Sequence, residues 1–422
     1  MKIALPWSLP VFFALLLPIC ASCTGENPRA NGVGGDLTTT AGTVEADAEH
    51  TQPDAEVLPG IYSMPTIVRL LGNRKVGITT NHTGMIGHVH LVDTLLASGV
   101  NVVSVFAPEH GFRGDRPDGE RIEAFRDERT GLPIHSLYGA TKKPTPAHMK
   151  DVEIMLFDIQ DVGARFYTYL STLHYVMEAA AEKNIPVVVL DRPNPNLQCV
   201  DGPVLDLNYA SFVGMHPVPV AYGMTIGEYA RMINGEGWLS NGVKADLHVV
   251  PCIGYDRNTA YDPPIAPSPN LPDARSVHLY PSLCFFEGTT VSVGRGTPHP
   301  FSVIGEPTNE KGDFTFTPVP VPGASMNPKH EGVECRGYDL RMEVTPTKTL
   351  KHLDISWLVK MYEETADREK FFDRPDFFDL LAGGNSLRLA IIAGKSEEEI
   401  RAMWRKDLED FAGIRAKYLI YP

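Results

Sequence analysis

Five short runs of this sequence are rich in Val, Ile and Leu without any polar alternation: KVGITT (75–80), VNVVSVF (100–106), EIMLF (153–157), IPVVVL (185–190) and ADLHVV (245–250). A strand with one wet face alternates apolar and polar residues. Strands that do not alternate are covered on both faces, as in a parallel sheet layered between helices. Helical text lies between the runs. HLVDTLLASG (90–99) carries Leu91, Leu95 and Leu96 at helical spacing and stops at Gly99. RFYTYLSTLHYVMEAAAEKN (165–184) places Leu170, Leu173, Val176, Met177, Ala180 and Ala181 on one face. MTIGEYARMINGEGWL (224–239) opens with Thr225 and has Glu228 three residues later, the spacing of a capping box.

The expected fold class is therefore α/β. A Rossmann-like parallel-sheet domain over residues 59–265 is followed by a smaller α+β C-terminal domain over 266–422. The proline-rich YDPPIAPSPNLPD (261–273) marks the crossing. The second domain contains the strand-like GYDLRMEV (337–344) and ends in helical text, SWLVKMYEETAD and SEEEIRAMWRKDLEDFAGIRAKYL. No GxGxxG stands between a strand and a helix, and GRGTPHP (294–300) sits in the wrong context, so no cofactor is indicated.

A chain of 422 residues is long for one core, which also favours two domains. The formal net charge of -14 speaks against nucleic acid as a partner and for a sugar polymer or small molecule. MKIALPWSLPVFFALLLPICASC (1–23) reads as a signal peptide ending in a bacterial lipoprotein cleavage site. Cys23 would carry the lipid and hold the protein to a membrane of the cell envelope. Residues 24–58 are polar and acidic and lack aromatics, and read as a flexible tether. Cys199, Cys252, Cys284 and Cys335 are widely spaced, so neither a zinc site nor a disulfide pairing can be assigned from them. The histidines of HVH (88–90) fit a turn into a helix more simply than a metal site.

Ligands of open parallel sheets bind at the carboxyl ends of the strands. Four strand ends deliver polar groups to that edge: Asn81; Glu109 and His110; Asp158 with Asp161 and Arg165; Asp191 and Arg192 with Asn194. One such end is often only a helix cap; four together describe a cleft. Glycoside cleavage needs a protonated acid at the leaving oxygen and commonly a second carboxylate. Glu109 has the reach, and Phe106 and Phe112 would make its surroundings apolar and raise its pKa. The plainer alternative for Glu109 is an ion pair with Arg113. A second cluster, YPSLCFFEGTTVSVGRGTPHPF (280–301), offers Glu287 beside two phenylalanines and Arg295 between glycines.

APEHGFRGD, FDIQDVGARFYTY, LDRPNP, DGPVLD, SFVG, GMTIGEYARMIN, APSPNLP and YPSLCFFEGTTVSVGRGT, in this order, resemble the exo-β-N-acetylmuramidases of glycoside hydrolase family 171. The resemblance covers nearly everything from residue 59 to 422. It implies release of N-acetylmuramic acid from the non-reducing end of peptidoglycan fragments, in a cleft between the two domains. The glutamate of the EHG motif is then Glu109, with Glu287 and Asp158 as further catalytic candidates. The substrate's lactyl carboxylate calls for a guanidinium, offered by Arg113, Arg165, Arg192 or Arg295. Asn81, His110, Asp161, Tyr167, Asp191 and Asn194 complete the expected sugar contacts. The rivals are a lipoprotein that captures muropeptides without cleaving them, and a metal-dependent amidase or esterase.

Overall fold

The computed structural model describes residues 56–109, 111–113, 125–344 and 350–422. The expected signal peptide, Cys23, most of the tether and His110 lie outside the described residues. Residues 54–422 pack as one compact unit.

Its centre is a seven-stranded sheet. The strands are β1 (Val76–Thr80), β2 (Val102–Ala107), β3 (Phe125–Arg126), β4 (Pro133–Ser136), β5 (Ile154–Asp158), β6 (Val187–Leu190) and β7 (Leu247–Val250). They lie in the order β7-β6-β5-β1-β2-β4-β3. All neighbours pair in parallel except β3, which runs antiparallel to β4. Counted among themselves, the six parallel strands read 3-2-1-4-5-6, the doubly wound order, with the reversal between β1 and β5. The five expected strands are all present. Strands β3 and β4 are additional to these; their two and four residues carry too little apolar text to stand out in the sequence.

Both faces of the sheet are covered, as the unbroken apolar runs require. Ile78, Val105, Leu156 and Val188 pack with Ile67 and Leu71 of α1 (Met64–Leu71) and with Leu91 and Leu95 of α2 (Leu91–Ala97). Phe106, Met155, Phe157 and Val189 face the other way, onto Leu173, Val176 and Met177 of α3 (Tyr169–Lys183). Helix α4 (Ile226–Gly235) starts with the expected box. Thr225 Oγ1 accepts from the Glu228 N–H at 3.2 Å, and Glu228 Oε2 accepts from the Thr225 N–H at 3.0 Å.

After α5 (Ala274–Leu283) comes a three-stranded antiparallel sheet. Its strands, β8 (Val303–Glu306), β9 (Phe314–Phe316) and β10 (Cys335–Asp339), lie in the order β8-β10-β9. The expected strand at 337–344 therefore starts and ends earlier. Arg341 folds back on Asp339, with its backbone N–H bonding Oδ1 at 3.0 Å and its Nη2 bonding Oδ2 at 2.6 Å, and this curls the chain out of the sheet. Helices α6 (Ser356–Glu364), α7 (Pro375–Ala382), α8 (Ser386–Ile392), α9 (Glu397–Ala402) and α10 (Arg405–Arg415) follow. Their apolar residues Phe371, Phe378, Ile400, Trp404 and Phe411 belong to the same core as α3 and the large sheet. The break between α9 and α10 falls where Trp404 turns inward and its Nε1 donates to Asp201 at 2.9 Å. Arg401 Nη1 reaches the same carboxylate at 2.5 Å.

The final residues return to the large sheet. Tyr421 donates its hydroxyl to Asp191 Oδ2 at 2.6 Å, at the end of β6, and accepts from the Cys252 N–H at 2.8 Å. The four cysteines of the described chain are free and buried. Among the described residues, no helix is long and apolar enough to cross a membrane.

Candidate active site

Glu109 sits two residues past β2, at the carboxyl edge of the sheet. Thr168, just ahead of α3, holds its Oε2 with Oγ1 at 3.4 Å. Two hollows meet at this carboxylate. The first, of about 470 Å³, is walled by Phe166, Tyr167, Tyr280 and Phe301, with Ser268 and Asn270 at its polar side. The rings interlock edge to face: Tyr167 stands 5.7 Å from Tyr280, and Tyr280 stands 4.9 Å from Phe301. The second, of about 1000 Å³, is lined by Glu287, Asn327, Arg295, Lys329 and Arg374. Glu109 and Arg295 line both.

Arg295 links the two sides. Its Nε and Nη2 grip Glu287 Oε1 at 2.8 and 2.7 Å, and its guanidinium lies 5.1 Å from the centre of the Phe301 ring. Lys329 pairs with Asp373 at 3.2 Å, and burial pushes its ammonium pKa down. Arg374 stacks on Phe377 at 4.2 Å. The second hollow thus presents three basic side chains, Arg295, Lys329 and Arg374, beside two acids, Glu109 and Glu287.

The apolar surroundings expected of Glu109 exist but have other owners. Phe106 is sunk in the core against His135, and Phe112 packs against His90 and under Arg113. The wall comes from Phe166, Tyr167, Tyr280 and Phe301 instead.

Of the expected site residues, Glu109, Glu287, Tyr167 and Arg295 are brought together. The others among the described residues are held by scaffold bonds. Asp158 is fully buried in a two-bond pair with Arg192, at 2.7 and 2.9 Å. It does not line either hollow, and Arg192 claims both of its oxygens. Arg113 forks onto Asp127, at 2.9 Å through both nitrogens, and also reaches Asp93; this holds the Asp127 carboxyl down to about 2. Its ion pair is thus with these aspartates. Arg165 is 1 % exposed and caps the carbonyls of Pro203, Val218 and Leu381 at 2.6–3.0 Å, and burial lowers its pKa to about 9. Asp191 accepts from Tyr421, Thr225 and the Gly227 N–H, and burial raises its pKa to about 6. Asn81 binds Thr83 and the Tyr169 hydroxyl, so it props a cleft residue from behind. Asn194 spans Met224 O and the Asn196 N–H. Asp161 receives the Tyr222 hydroxyl and the Gly163 N–H, and burial raises it to about 6.

Lys329, Arg374 and Asn327 escaped the sequence reading. They come from distant loops and one helix start, and their local text carries no signal. Ser268 and Tyr280 were within reach, since both lie in stretches of shared motif. Among the described residues, no group of three or more His, Cys, Asp and Glu side chains is arranged to hold a metal ion. His90 of HVH bonds the Asn81 carbonyl through Nε2 at 2.9 Å and caps α2 through Nδ1.

Fold and site together define a doubly wound α/β protein with an acid at the junction of an aromatic and a cationic hollow, an arrangement suited to a charged sugar. The chain matches the family description "Exo-beta-N-acetylmuramidase NamZ, N-terminal" over residues 76–275 and its C-terminal counterpart over 278–421. It belongs to the NamZ exo-β-N-acetylmuramidase family. It is 38% identical over 410 residues to the peptidoglycan β-N-acetylmuramidase NamZ of Bacillus subtilis (strain 168), covering 91% of this chain and 96% of that one. Two crystal structures of DUF1343-family proteins from Bacteroides fragilis NCTC 9343 are similar. One is 43% identical with a TM-score of 0.80, the other 32% identical with a TM-score of 0.71. Each alignment covers 87% of this chain and 99% of the other.

Proposed function

We propose that this chain is an exo-acting glycoside hydrolase that removes N-acetylmuramic acid from the non-reducing end of peptidoglycan fragments, with Glu109 as its main catalytic carboxylate. Family membership supports the muramidase activity. The observation that carries the assignment to Glu109 is its place at the meeting of the two hollows, against aromatic rings on one side and Arg295 on the other. The muramic acid ring lies against the aromatic wall. Its lactyl carboxylate meets the cations of the second hollow. Glu109 gives its proton to the glycosidic oxygen as the bond to C1 breaks, and water adds at C1 as its own proton passes to a carboxylate of the cleft. Glu287, gripped by Arg295, holds that cation in place and is the other carboxylate at hand. Cys23 carries a lipid that keeps the enzyme at the envelope, where its substrate is.

Glu109→Gln keeps size and polarity but has no proton to give. Its kcat on a MurNAc–GlcNAc disaccharide should fall by about 10²–10⁴-fold or more. On an aryl muramic acid glycoside with a good leaving group the loss should be much smaller, because that bond breaks without protonation. Hydrolysis of the disaccharide within a few-fold of wild type would return Glu109 to a structural role. A wild-type chain that binds the disaccharide and never cleaves it would favour capture over catalysis.

A further inference from the structure

A second cleft of about 1140 Å³ opens on the same edge of the sheet, over the ends of β1, β5 and β6. Thr83, Gln160 and Arg192 line it from the strand ends; Tyr62, Tyr261 and Ile265 face them. None of these residues lines the hollows at Glu109. The two regions are nonetheless neighbours. One segment serves both: residues 261–265 wall the second cleft, and Ser268, Asn270 and Leu271 wall the aromatic hollow. Between them His82 Nε2 bonds the Ala266 carbonyl at 2.8 Å, which makes a ridge from the loop after β1 to this segment.

We propose that this cleft binds the part of the glycan chain that lies beyond the terminal disaccharide, and so makes the enzyme favour longer fragments. The proposal rests on the muramidase reading above. An exo-enzyme holds the terminal sugar at its acid, and the rest of the chain must leave across the adjoining surface. The chemistry here suits the ring faces, hydroxyls and acetamido groups that both sugars of the repeat share. Tyr62 and Tyr261 offer ring faces, and the prolines 263 and 264 offer flat apolar edges. Gln160 is 2 % exposed, and its amide nitrogen donates to the carbonyls of Asp161 and Pro193 at 2.8 and 2.9 Å. Its Oε1 is buried with no hydrogen-bond partner. An unmet buried acceptor is costly, and a sugar hydroxyl or acetamido N–H would satisfy it. Arg192 is 5 % exposed and spends Nε and Nη2 on Asp158 and the Thr83 carbonyl. Asp158 neutralises its charge, so the cleft offers a hydrogen-bond donor rather than a trap for anions. That favours hydroxyl and acetamide groups over a carboxylated peptide.

The test compares a MurNAc–GlcNAc disaccharide with a hexasaccharide of the same repeat, using the full chain. Wild type should have the higher kcat/KM on the hexasaccharide. Tyr62→Ala and Tyr261→Ala should each raise KM for the hexasaccharide about three- to tenfold, the worth of one aromatic contact, and leave disaccharide kinetics unchanged. Tyr62→Phe and Tyr261→Phe keep the ring face and should behave as wild type. Equal losses on both substrates, or no loss on either, would overturn the cleft assignment. A wild-type chain inactive on both would instead overturn the muramidase reading on which it rests.

Discussion

Arg295 is the one arginine of the four expected at the lactyl group that lines the cleft beside Glu109. Arg295→Ala should cost about 2–3 kcal/mol of discrimination between N-acetylmuramic acid and N-acetylglucosamine glycosides, read as the ratio of their kcat/KM values. Lys329→Ala and Arg374→Ala should shift the same ratio by less, since Lys329 is already paired with Asp373 and Arg374 lies on the Phe377 ring. Arg165→Ala should fail differently. It leaves three buried carbonyls without their donor, so it should lower stability by on the order of 3 kcal/mol in chemical denaturation without a selective effect on either sugar. A buried histidine pair sets a pH dependence of its own. His174 Nδ1 meets His216 Nε2 at 3.0 Å, and His216 Nδ1 meets the Tyr229 hydroxyl at 3.0 Å, with Glu178 and Lys143 at the outer end. Burial holds both imidazoles below the usual histidine range. The folded chain leaves them neutral where the unfolded chain takes up protons. Their stabilisation is therefore full above about pH 6.5 and falls as the pH drops. Asp161 and Asp191, raised to about 6, act in the opposite sense. Their contribution is full below the ordinary aspartate range and is lost as the pH rises through about 6. A His174→Gln, His216→Gln double variant should keep only the second trend, so that its stability relative to wild type improves as the pH falls from 7 to 5.

At the scale of elements, five of the six parallel strands were legible because a strand buried on both faces must be apolar throughout, and α4 because its cap is written in two residues; β4 was not, since three of its four residues are only partly buried. The cleft was legible only in part, and the reason is physical. A strand end tells which residues reach the ligand edge, but not whether a partner already holds them. Asp158 and Arg192 both reach that edge and are used up by each other. The cationic hollow is made by packing α7 and the loops around Arg295 against the large sheet, a relation that no local pattern records. The last element, the segment after α10, has its own consequence. Tyr421 supplies one of the bonds that hold the buried Asp191. Tyr421→Phe removes that donor and should lower stability by about 1–3 kcal/mol, measured by denaturant titration. Turnover per folded molecule should be unchanged, because Asp191 does not line the hollows at Glu109.

For the whole molecule, the proposed anchor separates place from chemistry. Cys23→Ala should move the protein from the membrane fraction to the soluble one, or leave it unprocessed, while kcat on the disaccharide stays that of wild type. A variant that remained in the membrane like wild type would remove the lipid account. The order in which the chain is made bears on the bond that Tyr421 supplies. Tyr421 is next to last in a chain of 422 residues, yet it closes the end of a central strand. A nascent chain still held by the ribosome has made β6 long before it has made the hydroxyl that Asp191 needs. The bond to Asp191 therefore joins residues 230 positions apart and forms later than any contact within the sheet itself.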